Sequence, residues 1–415
     1  MIILLDIDGV LVDNVAYKVG VQRTAAEFSR RVGVPAEPPT LKDIDVFESE
    51  SITIEWDECA IITATLLVER LRRQAADPAR RAALTDLPTE VWAAVAALGP
   101  ADGATPLVID YAALARRVGA ASRESGQHPS RAYHGLLLAE LDEAVLAPAR
   151  PLLHQLLDDI YTITTSPAMQ LFQNYALGDA HYAAYYGLRP HVAGPALLET
   201  LDVPNLAPEW RDTLLEGRKR GEVYPVVYTA RPSLAPPEGG HRPRGYTPEA
   251  EMAADLVGLH GVPVMGFGKL DWAAKRVGRA GSQLVKPSPV QAMAAMGAAR
   301  SGQELEAIKA ALAVERDRHV RYPLTACAGQ AVHVFDDSTS SLKAVGRAVE
   351  QLNALGLRLT LTRHGIGPEG SPKQQTLGAV ADYVHPDINA GLAAVLGGAE
   401  QAEPGSGAQP RERRH

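Results

Sequence analysis

A short apolar run, Ile2 to Leu5, ends on Asp6, and the next comparable run comes only at Tyr224 to Tyr228. Runs of this length bounded by polar or turn residues have the pattern of buried strands. Three more follow, at Val262 to Met265, His333 to Phe335 and Leu357 to Leu361. Between the first and second lie about two hundred residues dominated by Ala, Leu, Arg and Glu. In stretches such as Glu58 to Gln74, Tyr111 to Ala120 and Ser130 to Leu146, apolar residues recur three and four apart, the period of amphipathic helices. The sheet must therefore join one N-terminal strand to a distant C-terminal set, and the helical stretch must leave it and return.

Strands alternating with helices after residue 220 predict a parallel sheet covered on both faces, an α/β, Rossmann-like core. The expected division is a core of residues 1–14 and 205–395, an inserted helical domain of residues 15–204, and a disordered tail of residues 396–415. Pro-rich loops stand at Val34 to Thr40 and Pro232 to Pro248. The chain of 415 residues is long enough for two or three domains. Its net charge of -8 argues against a nucleic-acid surface, which needs clustered Lys and Arg. Cys59 and Cys327 are too few and too far apart for a disulfide framework or a zinc site, so both read as buried reduced thiols. No stretch approaches the ~18 apolar residues of a membrane span. With no basic leader before Asp6, the expectation is a cytoplasmic protein without a membrane partner.

The chemistry gathers at strand ends. Asp6-Ile7-Asp8-Gly9-Val10 follows the first strand directly. In open parallel sheets, ligands bind outside the carboxyl ends of the strands. Two carboxylates two residues apart there suit a nucleophile and a proton carrier, and Gly9 allows the sharp turn that follows. A strand ending in an ordinary Asp-Gly turn is the plainer reading. Thr229 and Arg231 follow the second long strand. Asp336-Asp337 follows His333 to Phe335, where a pair of acids suits a hard cation such as Mg²⁺ or caps the next helix. Lys286, in Lys286-Pro287-Ser288-Pro289, precedes a long helical segment and can meet a phosphate there, or is simply a solvated lysine.

In this order, Asp6-x-Asp8-Gly9-Val10, Thr229, Lys286 and Asp336-Asp337, the chain resembles the haloacid dehalogenase-like (HAD) hydrolase superfamily. The resemblance covers roughly residues 1–14 and 205–395, and the helical insertion lies where that family places a cap. It implies that Asp6 attacks phosphorus and forms an aspartyl-phosphate, while Asp8 serves as general acid and base. Thr229 and Lys286 would hold the phosphoryl oxygens. Asp6, the Asp8 carbonyl and Asp336 would bind Mg²⁺, with Asp337 binding through water or positioning Lys286. The acid at Asp8 favours phosphoryl transfer over dehalogenation, because an oxygen leaving group needs a proton. One departure is the long interval from Lys286 to Asp336, with an extra helix at Glu304 to Arg318; it leaves Lys269 as an alternative to Lys286.

The resulting expectation is a Mg²⁺-dependent phosphatase for a small phosphorylated metabolite, its substrate enclosed by the cap. A phosphomutase or phosphotransferase of the same fold, or a non-catalytic scaffold, is the alternative, and oligomeric state stays open. Arg231 would contact a second anionic group or form an ordinary salt bridge. Phe172, Tyr175, Tyr182, Tyr185 and Tyr186 read as a core layer of the cap, a dimer surface or a lid. Asp43 to Glu50 reads as a solvated loop. Glu55, Asp57 and Glu58, beside Trp56, read as a surface helix start or as groups that bind hydroxyls or amines. Gly365-x-Gly367-x-x-Gly370 mimics a dinucleotide-binding turn, but Pro368, His364 and Glu369 do not suit a pyrophosphate cradle.

Overall fold

The computed structural model describes residues 1–99, 105–237 and 242–397. The expected disordered tail lies outside these residues, apart from Leu396, which ends a helix begun at Ile388, and Gly397. The chain forms two compact units, one of Met1–Asp13 with the chain from Val203 onward, the other Asn14–Asp202.

The first unit holds a six-stranded sheet of β1 (Ile2–Leu5), β4 (Tyr224–Tyr228), β5 (Val264–Met265), β6 (Ala331–Asp336), β7 (Thr360–Ile366) and β8 (Tyr383–His385). Its order is β5-β4-β1-β6-β7-β8, and every pairing is parallel. Two further short strands, β2 (Val12–Asp13) and β3 (Val203–Pro204), pair antiparallel where the chain leaves for the helical unit and returns.

All four residues of β1 are fully buried, which is why that run is apolar without alternation. Successive side chains still divide between the faces. Ile2, Leu4, Val226, Tyr228, Val332 and Val334 pack with Met293, Ile308, Leu342 and Val345 from the helices Pro289–Ser301, Glu304–Asp317 and Thr339–Asn353. Ile3, Leu5, Val227, Phe335 and Ile366 pack on the other side with Leu214, Ala253 and Ile388. No helix among the described residues is long and apolar enough to cross a membrane. Cys59 and Cys327 are both free and buried.

Two features of the core differ from expectation. Leu357 and Leu359 are buried but precede the strand, which runs Thr360–Ile366 through polar residues set by pairing with β6. The short edge strand β8 carries no hydropathic signal. The first glycine of the Gly365-x-Gly367 pattern lies inside β7, so no turn follows the strand at that point. A row of histidines also crosses the sheet: His333 Nδ1 lies 3.1 Å from His364 Nε2, and His364 Nδ1 lies 3.0 Å from His385 Nε2.

In the second unit, helices Val15–Val32, Glu55–Ala76 and Pro167–Tyr186 pack on one another. The expected segment Ser130 to Leu146 is two helices, Pro129–Glu140 and Glu143–Leu157, because Leu141 and Asp142 take extended backbone. Asp43 to Glu50 is not a loop. Helix Leu41–Ser49 occupies it, started by a reciprocal cap in which Asp43 N–H donates to the Thr40 hydroxyl (3.3 Å) and Thr40 N–H to the Asp43 carboxylate (2.8 Å). Asp57 and Glu58 are buried rather than solvated, and Asp57 lies 3.0 Å from His128 Nδ1. Of the aromatic set, Phe172 and Tyr182 are core residues, with the Phe172 ring tilted against the Tyr17 ring at a centroid distance of 5.8 Å.

Helix Pro167–Tyr186 kinks at Gly178, whose φ of 70° is left-handed. A Cβ there would lie 2.5 Å from the Ala196 nitrogen. Gly178→Ala should therefore lose about 2 kcal/mol or more of stability, read as a lower midpoint of thermal or urea unfolding. An unchanged midpoint would show that the kink is not a constraint.

Candidate active site

Strand β1 lies where the strand order reverses, with β4 on one side and β6 on the other, the topological switch point of an open parallel sheet. Leu5 is in register with both Val227 and Phe335. The ends of β4 and β6 therefore flank Asp6, the first residue beyond β1. Asp6 N–H donates to the Phe335 carbonyl (3.0 Å), and its carboxylate accepts from Ile7 N–H (2.8 Å). The chain then folds tightly, with the N–H groups of Val10, Leu11 and Val12 all directed to the Ile7 carbonyl. Gly9 is needed twice in this turn. Its φ is +68°, and a Cβ would lie 2.5 Å from Asp337 Oδ2.

Lys286 is the centre of the arrangement. Its ammonium lies 2.8 Å from Asp6 Oδ1 and 3.0 Å from Asp336 Oδ2, and 5.1 Å from the centroid of the Tyr228 ring. Asp336 is fully buried, accepts from Ser338 N–H (2.9 Å), and takes a short hydrogen bond from the Ser341 hydroxyl. Gln291 fixes the backbone around these groups. Its amide donates to the carbonyls of Thr229 (2.7 Å) and Met265 (2.8 Å), the ends of β4 and β5, and its oxygen accepts from Lys286 N–H (2.6 Å). Lys269 is excluded from this role. It is buried between Glu251 (2.8 Å) and Glu304 (3.3 Å).

Arg231 grips Asp8 through both carboxylate oxygens, Nε at 3.0 and 3.1 Å and Nη2 at 2.7 Å. The arginine is buried, while the Asp8 side chain is about a third exposed. Of the two roles expected for Arg231, the salt bridge is present, and its partner is the second acid of the Asp6-x-Asp8 pair. The Thr229 hydroxyl oxygen accepts from Arg231 N–H (3.1 Å), so its hydrogen is free of that contact. Asp337 forms a short ion pair with Lys373 on the segment after β7, and is not bonded to Lys286. Sequence reasoning missed Gln291, Ser341 and Lys373. A Gln two residues into a Pro-marked helix and a Ser inside a helix carry no local signal of such contacts.

Asp6, Asp336 and Asp337 each offer a carboxylate oxygen, and these lie within 4.8 Å of one another. An all-oxygen donor set of this kind fits Mg²⁺. Burial chiefly, with Asp336 next, pushes Asp6 well above the usual carboxylate range, and Lys286 offsets this in part. Burial works against the Lys286 charge, but Asp336 and Asp6 outweigh it and hold the ammonium above its ordinary range. Two carboxylates and a lysine are thus held together against the cost of burying their charges.

No protein-family model matches the chain, and comparison with curated proteins gives no match. Its fold is similar to an X-ray structure from the Northeast Structural Genomics Consortium, with a TM-score of 0.59 and 15% identity over 95% of this chain and 99% of that one. A likeness at this identity concerns the fold, an α/β protein with a parallel sheet and many helices.

The folded protein holds the Asp6 proton more tightly than the unfolded chain. Its contribution to stability is therefore present in acid and is lost as pH rises through the folded-state value. Asp6→Asn should raise the unfolding midpoint of the metal-free protein near neutral pH and flatten its fall with pH. A lower midpoint in the variant would contradict the charge balance. Gln291→Leu should cost roughly 2–4 kcal/mol in chemical unfolding, since two buried carbonyls and the Lys286 N–H lose their partner. A cost within experimental error would remove Gln291 from this role.

Proposed function

We propose that the protein is a Mg²⁺-dependent phosphatase of the haloacid dehalogenase-like kind, acting on a small phosphorylated metabolite. The observation that carries this reading is Lys286 bridging Asp6 and Asp336 at the switch point of the sheet, with Asp337 completing the oxygen cluster and Asp8 two residues beyond Asp6.

Asp6 is the nucleophile in this reading. Its carboxylate oxygen bonds to phosphorus as the bond from phosphorus to the leaving oxygen breaks, giving an aspartyl-phosphate and an alcohol. Asp8 supplies the proton that the leaving oxygen takes, then accepts one from the water that hydrolyses the intermediate, so the residue returns to its starting state. In the structure Arg231 holds both Asp8 oxygens, an acceptor-only arrangement, so this pair opens before Asp8 carries the proton to the leaving oxygen. Lys286 neutralises charge between Asp6 and the incoming phosphoryl group, and the Thr229 hydroxyl donates to a phosphoryl oxygen. Bound Mg²⁺ would supply the remaining positive charge that lets one anion approach another.

Incubation with a broad panel of phosphorylated metabolites should release inorganic phosphate with Mg²⁺ and not with EDTA. Asp6→Asn should abolish release, and Asp8→Asn should lower it by about 10²–10⁴-fold. No release by the folded, Mg²⁺-supplied protein would turn the reading toward a transferase with another acceptor, tested by adding acceptors to the same panel. Release from folded phosphoproteins but from no metabolite would overturn the substrate class.

A further inference from the structure

The acidic cluster carries two ammonium groups that are unlike in setting. Lys286 is buried, with its side chain 11% exposed, and is shared by Asp6 and Asp336. Lys373 is 43% exposed, comes from the short helix Pro372–Gly378 after β7, and is paired with Asp337. Both Lys373 and Asp337 lie over the bare Cα of Gly9, where a Cβ would be 2.5 Å from Asp337 Oδ2 and 3.5 Å from Lys373 Nζ. Arg231 is engaged with Asp8, away from this balance. Three carboxylates therefore face two lysines, and Lys373 is the one that solvent reaches.

From this arrangement we propose that Lys373 is a built-in competitor for the divalent cation, standing on an Asp337 oxygen in the metal-free protein and leaving it when the cation enters. The proposal rests on the metal part of the reading above. Physically, an ammonium and a divalent cation drawn to the same carboxylate repel each other, so each weakens the hold of the other. Lys286 has two carboxylates and a buried stem to hold it in place, whereas Lys373 has a long flexible chain and a route to water. As the cation takes Asp337, directly or through water, the ion pair is weakened or lost, and that free energy is subtracted from metal affinity. Lys373 thus weakens metal binding while protecting Asp337 from standing uncompensated beside Asp6 and Asp336.

The test is Mg²⁺ binding by titration calorimetry on the metal-stripped full chain, with no turnover involved. Lys373→Met keeps the length of the side chain and removes its charge. Lys309→Met, which breaks an exposed pair with Glu306, makes the same change in net charge far from the sheet edge. Lys373→Met should bind Mg²⁺ roughly tenfold more tightly than wild type, Lys373→Arg close to wild type, and Lys309→Met unchanged. Thermal unfolding of the metal-free variants checks that all are folded. Equal or weaker Mg²⁺ binding by folded Lys373→Met overturns the competitor role and leaves the phosphatase reading intact. Absence of Mg²⁺ binding by wild type and all variants overturns both.

Discussion

A single buried ammonium holds the carboxyl edge of this sheet together. Lys286 reaches Asp6 and Asp336 from a helix start that Gln291 ties to the ends of β4 and β5. Remove that charge, and two buried carboxylates on adjacent strands face each other uncompensated. Breaking a buried pair in this way costs about 3–5 kcal/mol in other proteins, more than the pair itself contributes to stability. The same tie explains why the helix Pro289–Ser301 is buried along much of its length: it is a wedge whose first turn must place one nitrogen to within hydrogen-bond distance of two strands.

Much of this was legible in the sequence, and the reason is periodicity. An all-apolar run is what a doubly covered strand requires, so β1 and β4 were found at their observed limits. Polar residues directly after such runs then had to stand at the sheet edge, which located Asp6, Asp8, Thr229, Arg231, Asp336 and Asp337. Lys286 was placed by its Pro-marked helix start. What stayed hidden depends on partners distant in the chain. β7 is fixed by register with β6, not by hydropathy, so a buried Leu357–Leu359 segment looked like the strand itself. Lys373 is one charged residue among many until the fold sets it on Asp337.

The helical unit was the harder half to read. Asp43 to Glu50 read as a solvated loop and Glu55 to Glu58 as a surface helix start or a polar binding group, yet Thr40 and Asp43 satisfy one another and begin a helix, and Asp57 is buried against His128. Charge density along a sequence does not distinguish an acid facing water from an acid with a partner seventy residues away. A capping pair three residues apart is a local signal and can be read. A contact between an acid on one helix and a histidine at the start of another is not.

The short ladder of β2 and β3 has a topological meaning. Asp13 lies opposite Val203, so the strands that lead out of the sheet domain and back into it are already neighbours. In chain terms the whole helical unit is the loop of a β-hairpin. The closure entropy of such a loop rises by only about 0.6 kcal/mol for each doubling of its length. A turn of a few residues in place of Asn14–Asp202 would leave every strand pairing of the sheet available. The six-stranded sheet and the site at its edge thus draw no strand from the helical unit.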